Sequence, residues 1–494
     1  MLESKRCSPS TSSGLLLVAL ATALLAGCTV GPAYVRPEAV APAGFTEADP
    51  DHYVATQPVS ALWSAFGDPV LDRLIDEALA RNLTLAQAAA RLAEARAIRG
   101  LDTFALFPVV TAGASADRNK PSGRDPFIPP DAAQTTETYR AGFDALWEID
   151  LFGRARNARK AVRADEQAAA AALAATRQSV VAEVAQAYFN LRAEQERLRV
   201  QRRNLENLSE NLQLLELRRD NGRGTDLDVA RSNALGLAIA SRLPNTEAAV
   251  ARQEQRLAVL TAQPIARLRE VLGAPTPLPP MPALVDIGTP EDWLRRRPDV
   301  QQAERQLAAA TARVGIAVAE FFPRLTLLGA GGWTAQSFDE LGESVAERWN
   351  FGPSLSWSFL DFGSVRQRVR ASEARAAGSL AAYDETVLRA LEETENALAG
   401  YRAANRSAGA LEMAVQRGRD ALGLAKLRFD AGAADTLVVL DAERTQLDLE
   451  DQLASAHAQR ATALAALYKA LAGDFAQAPR ANQETAAHGD QADL

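Results

Sequence analysis

Two segments of this chain alternate between apolar and polar positions in the way that half-buried β-strands do. In the first, the odd positions from Tyr139 to Ile149 are apolar or small and the even ones are mostly polar, with Leu146 as the exception. The second runs from Asn350 to Phe359, with apolar residues at most odd positions and asparagine or serine at most even ones. Alternation over about ten residues predicts a strand with one apolar and one wet face. A partner strand is predicted shortly before each segment.

Long helical segments follow both strand pairs. Residues 154–221 contain no Pro or Gly, and at about 1.5 Å per residue they predict a helix roughly 100 Å long. Residues 364–431 lack Pro but carry several glycines. Helices of this length exceed what a globular core needs and favour a coiled or tubular assembly. Shorter helices are predicted around them, at 68–80, 83–106, 226–263, 298–321 and 435–472, with Pro244 interrupting one.

The same plan occurs twice, which indicates an internal duplication. Phe107-Pro108 recurs as Phe322-Pro323, an offset of 215 residues, and three further landmarks recur at an offset of 210. Those landmark pairs are Trp147 and Trp357, Gly153 and Gly363, and Gly222 and Gly432. Strands of about 9 to 11 residues match a tilted membrane strand, and aromatic residues at their outer ends resemble an interfacial girdle. Because four strands cannot close a membrane barrel, which needs about eight, several chains would have to pool their strands.

Composition excludes several classes of function. The net charge of -8 argues against a protein that binds nucleic acid through phosphate contacts. The two cysteines, Cys7 and Cys28, both lie near the N-terminus, so the rest of the chain has no disulfide framework and no thiolate site. His52, His457 and His488 lie far apart in sequence. We therefore expect neither an enzyme nor a metal or cofactor site.

The N-terminus resembles a bacterial lipoprotein signal. Lys5 and Arg6 precede an apolar stretch at residues 14–25, and Leu25-Ala26-Gly27 leads to Cys28. This pattern predicts that Cys28 is acylated and becomes the mature N-terminus. Thr29 follows it, in place of the aspartate of an inner-membrane retention signal, which favours the outer membrane. No later segment has about 18 uninterrupted apolar residues, as a transmembrane helix requires.

Three motifs, in this order on the duplicated plan, resemble the TolC-like outer-membrane efflux proteins, in particular their lipoprotein branch. The resemblance covers nearly the whole mature chain. The motifs are Cys28-Thr29-Val30-Gly31-Pro32-Ala33-Tyr34, Trp63-Ser64-Ala65-Phe66-Gly67-Asp68-Pro69, and Leu294-Arg295-Arg296-Arg297-Pro298-Asp299-Val300 continuing to Phe321-Phe322-Pro323.

The resemblance implies an α+β membrane protein with a TolC-like fold. Three chains, each giving four strands, would form an outer-membrane β-barrel that continues as a long periplasmic α-helical barrel. It implies a homotrimer anchored in outer-membrane lipid, with a periplasmic membrane-fusion adaptor and an inner-membrane resistance-nodulation-division pump as partners. The implied function is a passive gated conduit that exports drugs or other small molecules. The alternatives are a type I secretion conduit of the same family and a structural periplasmic coiled-coil lipoprotein.

The resemblance also implies a periplasmic gate at the turns near Gly222 and Gly432. Family members carry a leucine and an aspartate at the positions of Leu437 and Asp441, which line the constriction; threefold symmetry would turn them into an apolar ring and an acidic ring. Arg444 matches an arginine that ties this helix to its neighbours. Asp228 matches an aspartate of the same network.

Several residues near the gate have a plainer interpretation. Asp226 and Asp435 are predicted as helix N-caps. Phe429 and Ala434 stand where TolC has polar partners. We therefore do not expect all the polar contacts that hold the TolC gate closed to be present in this chain. The arginines at 295–297 could suggest an anion site, but we expect a solvated or inter-subunit patch.

The sequence divides into six predicted regions. They are a signal peptide at 1–27, a lipid-anchored arm and short helix at 28–81, a first β-α repeat at 82–263 with strands 108–118 and 139–152, a Pro-rich linker at 264–297, a second β-α repeat at 298–473 with strands 324–334 and 350–362, and a C-terminal tail at 474–494.

Overall fold

The computed structural model describes residues 29–38, 42–48, 53–54, 66–104, 106–122, 124, 134–279, 281 and 285–471. The predicted signal peptide, the acylation site Cys28 and the predicted tail lie outside these residues. The helices are α1 Pro69–Arg81, α2 Leu83–Phe104, α3 Arg154–Asp220, α4 Asp226–Ala240, α5 Leu243–Thr261, α6 Ile265–Leu272, α7 Pro290–Arg296, α8 Pro298–Ala319, α9 Phe362–Asp430 and α10 Thr436–Ala470. The strands are β1 Tyr53–Val54, β2 Val109–Asn119, β3 Thr136–Ile149, β4 Val285–Asp286, β5 Arg324–Ala335 and β6 Glu347–Ser356. Within the described ranges, no helix has an apolar stretch long enough to cross a bilayer.

Some boundaries differ from the sequence prediction. The strand predicted at 350–362 ends at Ser356, because the backbone turns where the N–H of Asp361 donates to the carbonyl of Ser358 (3.0 Å). The helix predicted at 226–263 is two helices, with Pro244 in the first turn of α5, where a missing N–H costs no hydrogen bond. The region predicted as a Pro-rich linker contains the helices α6 and α7.

The first of two compact units comprises Met1–Pro37, Leu92–Ala169 and Ala303–Tyr383. It contains an antiparallel sheet in the order β2-β3-β5-β6. The two copies of the repeat each supply one hairpin, and they meet at β3 and β5. The same bond recurs in both copies: the indole N–H of Trp147 donates to the carbonyl of Leu106 (2.9 Å), and that of Trp357 to Phe321 (3.1 Å). Each Trp thus ties the end of its hairpin to the chain just before the Phe-Pro pair.

The N-terminal arm packs at the junction between β3 and α3. The amide of Val30 donates to the carbonyl of Phe152 (3.1 Å), and the side-chain amide of Asn157 donates to the carbonyl of Val30 (3.0 Å). Gly153 has φ +81, and a Cβ added to it would lie 2.9 Å from the Cα of Thr29. This close approach requires glycine and holds Thr29 beside the end of the sheet.

Further along the arm, Tyr34 fixes the chain to α8. Its hydroxyl donates to a carboxylate oxygen of Glu304 (2.7 Å), and the guanidinium of Arg305 lies 5.6 Å from its ring centroid. Burial, followed by the hydrogen bond to Glu304, raises the pKa of Tyr34, so this phenol stays protonated and remains a donor.

The second unit comprises Glu38–Arg91, Ala170–Gln302 and Asp384–Leu494. Phe66 packs against Phe189 and Tyr468, with centroid distances of 4.9 and 5.8 Å. Asp68 caps α1 by accepting from the amide of Val70 (2.9 Å) and also accepts from the hydroxyl of Tyr188 (2.5 Å). One side chain therefore both starts α1 and joins it to α3.

Arg192 of α3 carries a buried charge that the end of α6 stabilises. Its guanidinium donates to the carbonyls of Leu272 (3.0 Å) and Ala274 (3.2 Å) and lies 5.1 Å from the ring centroid of Tyr188. The carbonyl end of a helix carries partial negative charge, which favours a cation there. This contact fastens the segment after α6 to the long helix.

Candidate functional site

The long helices α3 and α9 end in the same tight turn. In the first, Gly222 donates to the carbonyl of Arg219 and Arg223 to that of Arg218, both at 2.8 Å. Gly432 and the residue after it repeat both bonds, at 3.0 and 2.8 Å. This pair of bonds is the Schellman motif, and the φ values of +72 and +69 explain why glycine occupies both positions. The turns place the first residues of α4 and α10 beside the ends of α3 and α9.

Copy two begins its return helix with the predicted cap. The carboxylate of Asp435 accepts from the amide of Thr436 (3.0 Å), so the N-cap prediction is confirmed there. Leu437, Asp441 and Arg444 follow at spacings of four and three residues, which places them on one face of α10. All three side chains are exposed in the chain.

Leu437, Asp441 and Arg444 line one groove of about 450 Å³ between α3, α4 and α10. The groove is amphipathic. Its other walls include apolar residues of α4 and α10 and charged residues, among them Arg231, Leu235, Ile239, Arg242, Leu440, Leu447, Asp448 and Asp451.

Two ion pairs involve residues that line this groove. The guanidinium of Arg242, at the break between α4 and α5, lies 3.3 Å from the carboxylate of Asp448. Arg197 of α3 makes two bonds of 3.2 Å to the carboxylate of Asp451. Asp441 and Arg444, in contrast, make no ion pair with another described residue of the chain. Their charges are available to groups that enter the groove or lie across from it.

Asp228 lies apart from the groove that the other three gate candidates line. Its carboxylate accepts from the amide (3.3 Å) and hydroxyl (2.7 Å) of Thr225, and its own amide donates to that hydroxyl (3.2 Å). This reciprocal arrangement is a capping box at the start of α4. The groove lining does not include Asp228. The N-cap is Thr225, so the prediction of Asp226 as a cap is wrong; Asp226 is the next residue, with 94% of its side chain exposed.

Phe429, which replaces a polar residue of TolC, contacts Arg218 of α3. The guanidinium of Arg218, at the end of α3, lies 4.4 Å from the ring centroid of Phe429. It also lies 3.8 Å from the carboxylate of Asp430. A cation–π contact at an exposed site contributes about 0.5–1 kcal/mol, so this contact joins the ends of α3 and α9 weakly.

The arginines before α8 do not form one solvated patch. Arg297 is 5% exposed, and its guanidinium bonds the carboxylates of Asp299 (2.7 Å) and Glu393 (2.6 Å) and the carbonyl of Ala470 (3.0 Å). For this residue the prediction of a solvated or inter-subunit patch is wrong, since its partners lie within the chain. Arg295 is exposed and pairs with Glu291 one turn away.

The β2-β3-β5-β6 sheet presents faces of opposite character. On one face the large apolar side chains are exposed, including Trp349 (78%) and Phe351 (74%). That face consists mainly of Val110, Ala112, Ala114, Ala116, Tyr139, Ala141, Phe143, Ala145, Trp147, Leu325, Leu327, Gly329, Gly331, Trp333, Trp349, Phe351, Pro353 and Leu355. The other face carries mostly polar, small and charged residues, among them Thr111, Ser115, Asp117, Arg140, Asp144, Glu148, Thr326, Arg348, Asn350 and Ser354.

Aromatic residues lie at both ends of this sheet. Tyr139, Trp333 and Trp349 are near the loops, whereas Trp147 and Trp357 are near the helices. The sequence predicted aromatic residues at the outer ends alone. Two aromatic levels that flank an apolar band are typical of strands that cross a membrane.

The comparison with protein families identifies this architecture. The profile of the family described as outer membrane efflux protein matches residues 74–263 and 289–473. The chain belongs to this family. The two matched segments include both long helices and both hairpins, so each copy of the repeat matches in turn.

Individual members of the efflux protein family agree with this assignment. Nodulation protein T of Rhizobium leguminosarum bv. trifolii is 28% identical over 452 residues, covering 92% of this chain and 96% of that protein. Outer membrane protein OprJ of Pseudomonas aeruginosa is 32% identical over 481 residues, covering 94% and 96%. A solved structure of the outer-membrane channel OprN superposes with a TM-score of 0.85 at 40% identity, covering 90% of this chain and 99% of that one. The resemblance inferred from the motifs and the TolC-like fold class are therefore confirmed.

Sequence reasoning missed one buried group of this efflux protein. Glu443 is 4% exposed and lies on the inner side of α10, between the gate candidates. Thr436, Leu440, Glu443 and Gln446 are all buried, at the spacing of one helical face. The signal available in the sequence was the presence of Glu443 and Gln446 on the same helical face as the apolar Leu440.

Proposed function

We propose that this protein is the outer-membrane channel of a tripartite efflux system, a passive conduit without catalytic chemistry. The observation that carries the proposal is the exposed apolar face of the sheet. No other part of the described chain covers the side chains of that face, such as Phe143, Trp349 and Phe351. Lipid is the solvent that accommodates such a face, and the polar face opposite would then line a water-filled lumen.

The edges of the sheet argue for several copies of the chain. β2 and β6 are the outer strands, and among the described residues neither pairs with another strand on its outer side. In lipid an unpaired strand edge leaves backbone groups unsatisfied at a cost of several kcal/mol each, so the sheet must close. Three copies, as in the family's trimeric fold, would give twelve strands, with β2 of one chain beside β6 of the next.

The long helices also present apolar side chains that a neighbouring chain would cover. Leu214 and Leu217, near the end of α3, are exposed. Leu424 and Leu427 occupy the corresponding positions of α9, 210 residues later, and are exposed too. Exposed leucines that recur at matching positions in both copies support a helical barrel in which copies pack side by side.

The proposed periplasmic gate is the start of α10. Leu437, Asp441 and Arg444 share one face and one groove, and the last two make no ion pair with described residues. In a trimer, the leucines would form an apolar ring and the aspartates an acidic ring. Arg444 would then bind carboxylates of adjacent helices, and opening would require α10 to move. Asp228 supports this end through the capping box of α4.

A lipid anchor at Cys28 fits the arm's position. Thr29, the next residue, packs against Gly153 beside the end of the sheet, where the polypeptide passes from strand to helix. An acyl chain on Cys28 would therefore start near the edge of the proposed membrane band. Incorporation of labelled palmitate should be lost in Cys28→Ala; retained label would contradict the anchor.

The partners that we infer from family membership are a periplasmic membrane-fusion adaptor and an inner-membrane resistance-nodulation-division pump. The purified protein should behave as a species of about three times the mass of one mature chain and conduct ions in planar bilayers. A monomer that does not conduct would refute the proposal. In cells, deletion should raise susceptibility to the pump's substrates, and co-purification should recover the adaptor.

A further inference from the structure

Glu443 is a buried carboxyl group between the second and third turns of α10, near the start of the proposed gate helix. One of its oxygens accepts from the side-chain amide of Asn211 of α3 (2.8 Å). The other oxygen is buried and has no hydrogen-bond partner among the described residues. A buried carboxylate with half of its acceptor capacity unused is costly, and a neutral carboxyl group in the same place costs less.

The groups that face Glu443 compensate its charge incompletely. From α3 the facing group is the neutral amide of Asn211, and from α9 it is the ammonium of Lys426. On α10 itself, Asp441 and Arg444 are exposed on the groove side. Burial raises the pKa of Glu443, and Lys426 and Asn211 offset only part of the rise. Proton binding is therefore more favourable while α10 packs against α3 than when Glu443 is in water.

We propose that Glu443 is a positioning residue for the gate, because the protonation of its carboxyl group holds the start of α10 packed against α3. Loss of the proton favours conformations in which Glu443 reaches water, and these require α10 to separate from α3. The direction follows from linkage: a carboxyl group with a raised pKa stabilises the packed state below its unperturbed pKa, and this contribution is lost as pH rises through the raised value. Within that window the ratio of packed to separated states falls by up to about tenfold per pH unit.

Hydrogen exchange of the α10 amides, residues 436–447, tests this in the full-length protein without requiring channel activity. After correction for intrinsic exchange, protection in the wild type should fall as pH rises. Glu443→Gln, which resembles the neutral form, should keep protection high at every pH. Glu385→Gln on α9 is the matched control, since its carboxylate is exposed and it should follow the wild type. An identical pH profile in the wild type and Glu443→Gln would overturn the proposal.

A second variant separates this role from simple packing. Asn211→Ala removes the donor to the carboxylate, so it should lower protection at neutral pH and leave protection in acid nearly unchanged. Adding Glu443→Gln to Asn211→Ala should restore protection, because the neutral side chain no longer needs that donor. Loss of protection in the double variant would contradict the proposal.

Single-channel recordings test whether protonation of Glu443 affects opening of the channel. Of the experiments on Glu443, only this one depends on the proposed function. Opening events of the wild type should become more frequent as pH rises, and those of Glu443→Gln should stay rare. A wild type that does not conduct would refute the channel, whereas hydrogen exchange would still decide the role of Glu443. A conducting wild type whose openings share one pH profile with Glu443→Gln would refute the role in the gate.

Discussion

Placing arginine on either face of the sheet is the sharpest test of the membrane assignment. Phe351 and Asn350 are adjacent in β6, and their side chains project from opposite faces. Phe351 is 74% exposed on the apolar face, in register with Gly329. We expect Phe351→Arg to prevent assembly and Asn350→Arg to be tolerated.

The magnitude follows from the depth of the residue and the number of copies. Phe351 lies in the middle of β6, so its side chain would be near the centre of the membrane band. Arginine on the lipid face near the midplane costs about 2–4 kcal/mol per chain, and a trimer would incur roughly three times as much, about 6–12 kcal/mol. This is comparable with the whole stability of a typical domain, about 5–15 kcal/mol. Arginine at Asn350 would face water, and its cost would be close to zero.

The assay is the yield of trimer in isolated outer membranes, followed by conductance of the purified protein. Phe351→Leu is the size control and should assemble like the wild type. The face assignment fails if Phe351→Arg assembles as well as Asn350→Arg, or if their order is reversed.

Three further predictions concern stability and the gate. Arg297→Met should lower the unfolding temperature by the equivalent of about 1–3 kcal/mol, a value discounted because the carboxylate partners of Arg297 are partly exposed. Arg295→Met should have little effect. Equal shifts in the two variants would refute the stabilising role of the buried Arg297. Burial raises the pKa of Glu393, but its hydrogen bond and proximity to Arg297 outweigh burial and lower it. The stability from this pair is therefore present above about pH 4.5 and is lost as pH falls through the lowered value, so Glu393→Gln should flatten the acid side of the unfolding profile. Asp441→Ala or Leu437→Ala should raise single-channel conductance; unchanged conductance in both would place the gate elsewhere.

The hairpins and long helices were predictable because their signals are local. Alternation along residues 139–149 depends on side chains two positions apart, and the helix after Gly153 depends on an uninterrupted run without Pro or Gly. The turns at Gly222 and Gly432 follow from the conformational freedom of one residue. Strand pairing across the duplication was not predictable in register, because β3 and β5 are separated by long helices and their alignment depends on tertiary contacts.

The buried polar residues were harder to predict, since their partners are remote. Arg297 bonds Glu393 96 positions later and the carbonyl of Ala470 173 positions later. Glu443 bonds Asn211 across 232 positions. A cluster of arginines in a single sequence resembles a solvated patch until those partners are placed beside it. The two caps illustrate the same limit at short range: Asp435 was identified correctly, whereas Thr225 was a better cap than its neighbour Asp226 because Asp228 completes the box.

The two copies differ in the return segment, which in copy two is the proposed gate helix. Both share the Trp-to-carbonyl bond and the Schellman turn, which fix the sheet ends and the helix ends. Beyond the turn, copy one breaks into α4 and α5 and is tied at the break by Arg242 to Asp448, whereas α10 runs from Thr436 to Ala470 without a break. A continuous helix can move as a unit, and a change at its start acts along its length. Glu443 has its counterpart, 210 residues earlier, in Asn233, which is exposed and carries no charge. The duplicated features are those that would form the conduit. The buried carboxyl group of Glu443, which has no counterpart at Asn233, is the basis of the pH response that we propose for α10.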